Sequence, residues 1–238
     1  MHEPYSDQPD KQGAYVQTPE QIKAALDYLV QHDFQANVHA IGDRGNTEVI
    51  DLLSRPGMQS SKLRHRVEHA QILRLEDIMK FKDHDLIASM QPTHATSDMN
   101  MAEDRVGPER IKGAYAWQKL FKAGVVVASG SDFPVELINP FHGMHAAVTR
   151  QNHDNQPPGG WYANEAMSVA QALQTFTINA AFAAHAEDFS GSLEVGKQAD
   201  FIVIDQDIFT INPQEIWKTK VLETWVGGQQ VYVRESQP

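Results

Sequence analysis

His39 closes the run FQANVHA, His69 closes LRHRVEH, and Asp132 closes VVVASGSD. Two imidazoles and a carboxylate make a donor set for a hydrolytic zinc or manganese ion. A structural zinc site would normally use cysteines at close spacing, and this chain has none. The three donors are far apart in sequence, yet each ends a strand-like apolar run. A parallel β/α architecture gathers the C-terminal ends of its strands on one face, where such residues can meet around one ion. The chemistry this predicts is metal-assisted hydrolysis.

Each residue also has an ordinary reading. His39 alone could be a strand-end imidazole on a backbone carbonyl, but HAIGD turns sharply at Gly42, where a ligand needs room. Asp132 could be a turn or N-cap aspartate, although a carboxylate after a buried strand is costly unless it is paired or metal-bound. His94, in QPTHATSD, is either a contact to a substrate carbonyl or anion or an exposed loop histidine. Arg105 either meets a substrate carboxylate or pairs with Glu103 or Asp104. His142 and His145 fall at i, i+3 on a helix, and a face bordering solvent is expected for them. His65-Arg66-Val67-Glu68-His69 matches H-x-x-E-H, a metallopeptidase signature that requires a helix. Here the segment occupies a strand slot between two helices. In a strand its two histidines lie about 13 Å apart, too far for one ion.

The elements that must position these residues alternate. Thr18-Pro19-Glu20-Gln21 is a helix start, with Thr18 as N-cap and Gln21 at the capping-box position, and Ile22, Ala25, Leu26 and Leu29 carry a helix over 19–32. Strand FQANVHAI precedes a helix near 45–54, strand LRHRVEHA a helix near 75–83, and LIASMQP is a third strand. A polar loop, THATSDMNMAEDRVGP, leads to a helix over 109–123 that stops at Gly124. VVVASGSD is a fourth strand, apolar enough to be buried on both faces. Helices follow over 140–150 and 168–184. From about Gly191 the texture changes to short strands with glycine turns, and Gly227-Gly228 marks a hairpin. The pattern predicts a parallel β/α sheet with a β-rich tail, over residues 1–188 and 189–238.

Composition bounds the rest. The 238 residues are 41% hydrophobic and 21% charged, which suits a globular enzyme. A net charge of −11 argues against nucleic acid or an anionic membrane as partner. No apolar run approaches the ~20 residues that span a bilayer. The opening residues are unlike a secretory signal, and the lack of cysteine fits the cytoplasm.

As an ordered set, VHAIGDRGNTEVID, RHRVEHAQIL, QPTHATSDMNMAEDRVGPERIKGAYAW, VVVASGSDFPVE, NPFHGMHAAVTRQ and GSLEVGKQADFIVID resemble the amidohydrolase superfamily. The resemblance is to its branch of N-substituted formamide deformylases and related metal-dependent hydrolases. It implies a (β/α)8 barrel of TIM type with a small β-sandwich. Such sites hold one or two divalent ions, usually zinc, by an H-x-H pair on the first strand, often a carboxylated lysine on the fourth, histidines on the fifth and sixth, and an aspartate on the eighth. By resemblance His39 matches the fifth-strand ligand, His69 the sixth and Asp132 the eighth. Asp132 is then also the catalytic base and later acid, while His94 and Arg105 fall where small-molecule substrates are contacted. No two histidines stand in an H-x-H arrangement and only four barrel strands can be counted. The chain is therefore expected to be the last four β/α units plus a sandwich segment. It would associate with a missing N-terminal half or with copies of itself, with hydrolysis expected alongside the N-terminal half, or else be a non-catalytic remnant.

Overall fold

The computed structural model describes residues 1–235. It divides into two compact units, Met1–Ala128 and a second that begins at Ser129.

The first unit opens with α1 (Pro19–Gln31), whose capping box is formed as the sequence predicts, Thr18 accepting from the Gln21 N–H and Gln21 accepting from the Thr18 N–H. The chain continues through β1 (Asn37–Ala40), α2 (Asp43–Leu53), α3 (Ser60–Leu63) and β2 (Arg66–His69). A 3-10 turn, Leu75–Asp77, runs into α4 (Ile78–Asp83), followed by β3 (Ile87–Met90), α5 (Pro92–Asp98) and α6 (Ala102–Arg110). A second 3-10 turn, Ile111–Gly113, leads to α7 (Trp117–Lys122) and β4 (Val127–Ser129). The strands form one parallel sheet in the order β1-β2-β3-β4, with Val38 opposite Val67 and Val67 opposite Ala88. Val67, Ala88 and Val127 are buried, and Ile50, Leu53, Phe81, Trp117 and Leu120 from the helices are fully buried beside them. The order and direction of the strands are those the alternating pattern predicts.

Two expectations for the first unit fail. The stretch 93–108 is not a loop, since Pro92 sits at the first position of α5 and α6 follows. The helix expected over 109–123 is broken. Gly113 is drawn onto the backbone of another segment: the Leu73 N–H donates to its carbonyl at 3.0 Å, and the Tyr115 N–H donates to Gln71 at 2.8 Å. A Cβ at position 113 would stand 1.8 Å from the Leu73 carbonyl oxygen, so only glycine allows this approach. The long-range backbone bridge overrides the local helical pattern.

β2 is a strand, which removes the helical H-x-x-E-H reading. His65, just before it, is fully buried and structural. Its Nδ1 accepts the Ala36 N–H at 3.0 Å and its Nε2 donates to the Met58 carbonyl at 2.8 Å. Glu68 pairs with Arg66 at 2.9 Å.

In the second unit α8 (Pro140–Thr149) is capped by the Asn139 side chain, and α9 (Val169–Phe176) starts on a capping box at Ser168. A break at Thr177 separates α9 from α10 (Ile178–Ala183), where a single helix over 168–184 is expected. The tail forms an antiparallel sheet, β5 (Phe201–Ile204), β6 (Val221–Val226) and β7 (Gln229–Val233), and residues 191–200 lie outside it. Gly227 and Gly228 both have positive φ, 57° and 77°, the backbone a two-residue hairpin of this twist requires. Among the described residues no helix is long and apolar enough to cross a membrane.

Candidate functional site

Three histidine rings meet at the C-terminal ends of β1, β2 and β3. His39 lies on β1, one residue from the strand's end, and its ring meets that of His69 edge-on, with centroids 4.5 Å apart. His94, in the first turn of α5, stacks on His69 with centroids 5.7 Å apart and 17° between planes. The spacing in sequence is converted to proximity by the parallel sheet, as the strand-end argument requires.

His69 is the most constrained of the three. It is buried, and its Nδ1 lies 2.8 Å from Oε1 of the buried Gln91. With that amide oxygen as acceptor the proton resides on Nδ1, and the Nε2 lone pair is left to bind an ion. This is how a second layer of groups usually orients a metal-binding imidazole. His69 and Ala70 both have positive φ, 74° and 43°, a backbone region that costs energy for residues with a Cβ. The strand end is bent at the expense of backbone strain, the kind of cost that clusters at functional sites. An imidazole whose far nitrogen is tied to a buried side chain, with two further imidazoles beside it, fits a divalent metal.

Asp132 follows the last residue of β4 by three positions, is exposed, and also has a positive φ of 56° in a turn closed by the Val135 N–H on its carbonyl, 2.8 Å away. Arg105 lies on α6, and its guanidinium pairs with Asp7 at 2.7 Å rather than with Glu103 or Asp104. It lines a pocket of about 580 Å³ that also includes His39, Ile41, Gln71, Asp98 and Met101. Sequence reasoning passed over Gln71, Gln91 and Asp98. Gln91 stood at a strand end beside Pro92, but amides do not titrate and are not zinc's usual ligands, so a search for zinc donors does not find them.

The second unit holds another group of histidines. His145 is fully buried on α8, where a solvent-bordering face is expected. His153 stacks on Trp217 at 4.7 Å and meets the His142 ring at 4.4 Å. Desolvation lowers the pKa of His142, His145 and His153, and holds that of His145 at about 4. Burial likewise lowers that of His65 in the first unit. A histidine whose folded pKa lies below its unfolded value stabilises the fold above the unfolded pKa and loses that contribution as pH falls. Urea denaturation should therefore show a stability plateau above the ordinary histidine pKa of ~6.5. It should show a decline from there down to about pH 4. His145 alone should account for about 2 kcal/mol between pH 7 and pH 5. Stability that is flat or rising as the pH is lowered over this range would show that these histidines are not held neutral.

The family model described as amidohydrolase family matches residues 1–232. Protein LONG AFTER FAR-RED 3 of Arabidopsis thaliana is 33% identical over 98% of the chain and 40% of its own length. The N-substituted formamide deformylase of Arthrobacter pascens is 33% identical over 49% of the chain and 21% of its own length. A crystal structure of an uncharacterized metal-dependent hydrolase from Pyrococcus furiosus superposes with a TM-score of 0.74 at 30% identity, covering 87% of this chain and 41% of that one. The chain thus spans well under half the length of these relatives. With a match that runs through every element described above, it belongs to the amidohydrolase family.

Proposed function

We propose that the chain carries part of the active site of a zinc-dependent hydrolase for carbon–nitrogen bonds of non-peptide amides or formamides. The observation that carries this reading is the His39–His69–His94 group, with the far nitrogen of His69 tied to Gln91. The partial identity to an N-substituted formamide deformylase supports the bond class. In this reading residues 1–188 are the last four units of a (β/α)8 barrel and 189–238 a sandwich segment, in a cytoplasmic enzyme.

His39, His69 and Asp132 would hold the ion. A bound zinc ion supplies Lewis acidity and a water made acidic at neutral pH. Asp132 accepts the proton of the attacking water and returns it to the departing nitrogen as the C–N bond breaks, so the products are an amine and a carboxylic acid. His94 contacts the carbonyl side of the substrate. Arg105, held on Asp7, offers N–H groups at the pocket wall. A partner chain, either an N-terminal half bearing an H-x-H strand or a second copy, completes the assembly. Apolar residues left exposed before β1 and in the tail sheet support that requirement, among them Val16, Phe34, Val231 and Val233.

Amine release from an N-substituted formamide, followed on the chain co-expressed with such an N-terminal half, tests the reading. Turnover should rise with added zinc and vanish on chelation. Turnover that survives chelation would overturn it.

A further inference from the structure

The pocket beside His39 contains a carboxylate whose position is fixed and whose second oxygen is open. Asp98 ends α5 on the pocket wall. Gln71 Nε2 donates to its Oδ2 at 2.6 Å, and the Tyr115 hydroxyl donates to the same oxygen at 2.5 Å. Neither donor can swing away. Gln71 and Tyr115 are both buried, and their backbones are joined by the Tyr115 N–H to Gln71 carbonyl bond, the Ile72–Ala114 bridge and the Leu73–Gly113 contact. An ionised carboxylate has about four acceptor positions, and both hydrogen bonds here fall on one oxygen. Among the described residues no hydrogen bond falls on Oδ1 of this pocket-lining residue.

Apart from His39, whose proposed ion the test below removes, the other walls do not offset this charge. Ile41, Ile72, Met101, Ala102 and Val106 are apolar. The Arg105 guanidinium is neutralised by Asp7 at 2.7 Å. The Met1 amine donates to the Gln12 carbonyl at 2.8 Å, and desolvation lowers its pKa, which disfavours its charged form. A pocket of about 580 Å³ lies in the range that encloses a small organic ligand.

We infer that this pocket selects a protonated amine borne on an apolar group, with Asp98 Oδ1 accepting its N–H. The inference rests on the proposed hydrolase reading in one respect, that the pocket beside His39 receives the substrate. It then narrows that substrate to amides that carry a cationic nitrogen besides the scissile bond, and it disfavours carboxylate-bearing ones. Charge-assisted hydrogen bonds are roughly twice as strong as neutral ones, which makes the selection measurable.

The test is direct binding to the full chain in chelator-containing buffer, by titration calorimetry or chemical-shift perturbation. Benzylammonium, benzyl alcohol and benzoate share a ring and differ in charge. Benzylammonium should bind at least about tenfold more tightly than the alcohol, and benzoate most weakly of the three. Asp98→Asn should erase the preference. Equal affinities, a preference for benzoate, no binding by any of the three, or a preference that persists in Asp98→Asn would overturn the proposal. Should Asp98→Asn fail to fold, the three-ligand comparison on the unaltered chain decides alone. Because no metal and no turnover enter the measurement, its failure is distinct from a failure of zinc-dependent hydrolysis.

Discussion

Zinc affinity should fall at least about a hundredfold when His69 is replaced by alanine, and by about ten- to a hundredfold when Gln91 is. The far nitrogen of His69 is bonded to the buried Gln91 side chain, which fixes its ring, so the loss on its removal should be large. Gln91→Ala tests a different thing. It leaves every ligand in place and removes the group that fixes the proton on Nδ1. A competition titration against a chromophoric chelator reads both. The parent chain itself should hold zinc below full occupancy and release it readily, since closed structural sites use four protein ligands and three are proposed here. His65→Ala is the control with the opposite outcome. It removes the partner of the Ala36 N–H and the Met58 carbonyl and so should cost stability, of the order of 1–3 kcal/mol per buried group left unpaired, with zinc affinity unchanged. If His65→Ala lowered zinc affinity as His69→Ala does, the strand-end site would be wrong. If tightly held zinc survived His69→Ala, the ligand assignment would be wrong.

The sequence made the strand ends legible because apolar runs bounded by a turn signal a buried parallel strand whatever the rest of the fold does. His39 and His69 were visible for that reason, and so was the start of α1, whose capping box is written in four consecutive residues. What was not legible was set by contacts far away in the chain. PTHATSD has no helical stripe and few good helix formers, yet it is helical because Pro92 starts the turn and Ala95 and Thr96 are buried. The break at Gly113 depends on Leu73, forty residues earlier, and no window around 109–123 contains that information. The burial of His145 is of the same kind, since an i, i+3 pair reads alike whether its face meets solvent or another element. Polar residues that act by holding others were the least visible. Gln91, Gln71 and Tyr115 matter through the positions of His69 and Asp98, and composition alone gives them no mark.

Co-expression with an N-terminal half that carries an H-x-H strand should raise amide hydrolysis at least a hundredfold over the chain alone, whose turnover should lie near background. The physical reason lies in surfaces rather than in the site. β1 has a strand on one side only, so its other edge presents backbone N–H and carbonyl groups to any strand that can pair with them. His39 lies on that edge strand, and an added neighbour would order the ligand as well as the edge. Val16, which shares a pocket wall with Val38 and His39, is 95% exposed, and Phe34, three residues before β1, is 59% exposed. In the tail sheet every residue of β7 is exposed, and Val231, Tyr232 and Val233 are among them. Apolar area of this extent drives association, so the chain alone should elute as concentration-dependent dimers or larger species in size-exclusion chromatography with light scattering. Co-expression should convert these to one defined complex. The two readouts move together under this account, because the strand proposed to cover the edge also carries the proposed H-x-H pair. A monodisperse monomer with zinc-dependent hydrolysis at the rate of the complex would refute the requirement for a partner, and His39, His69 and Asp132 would then suffice by themselves.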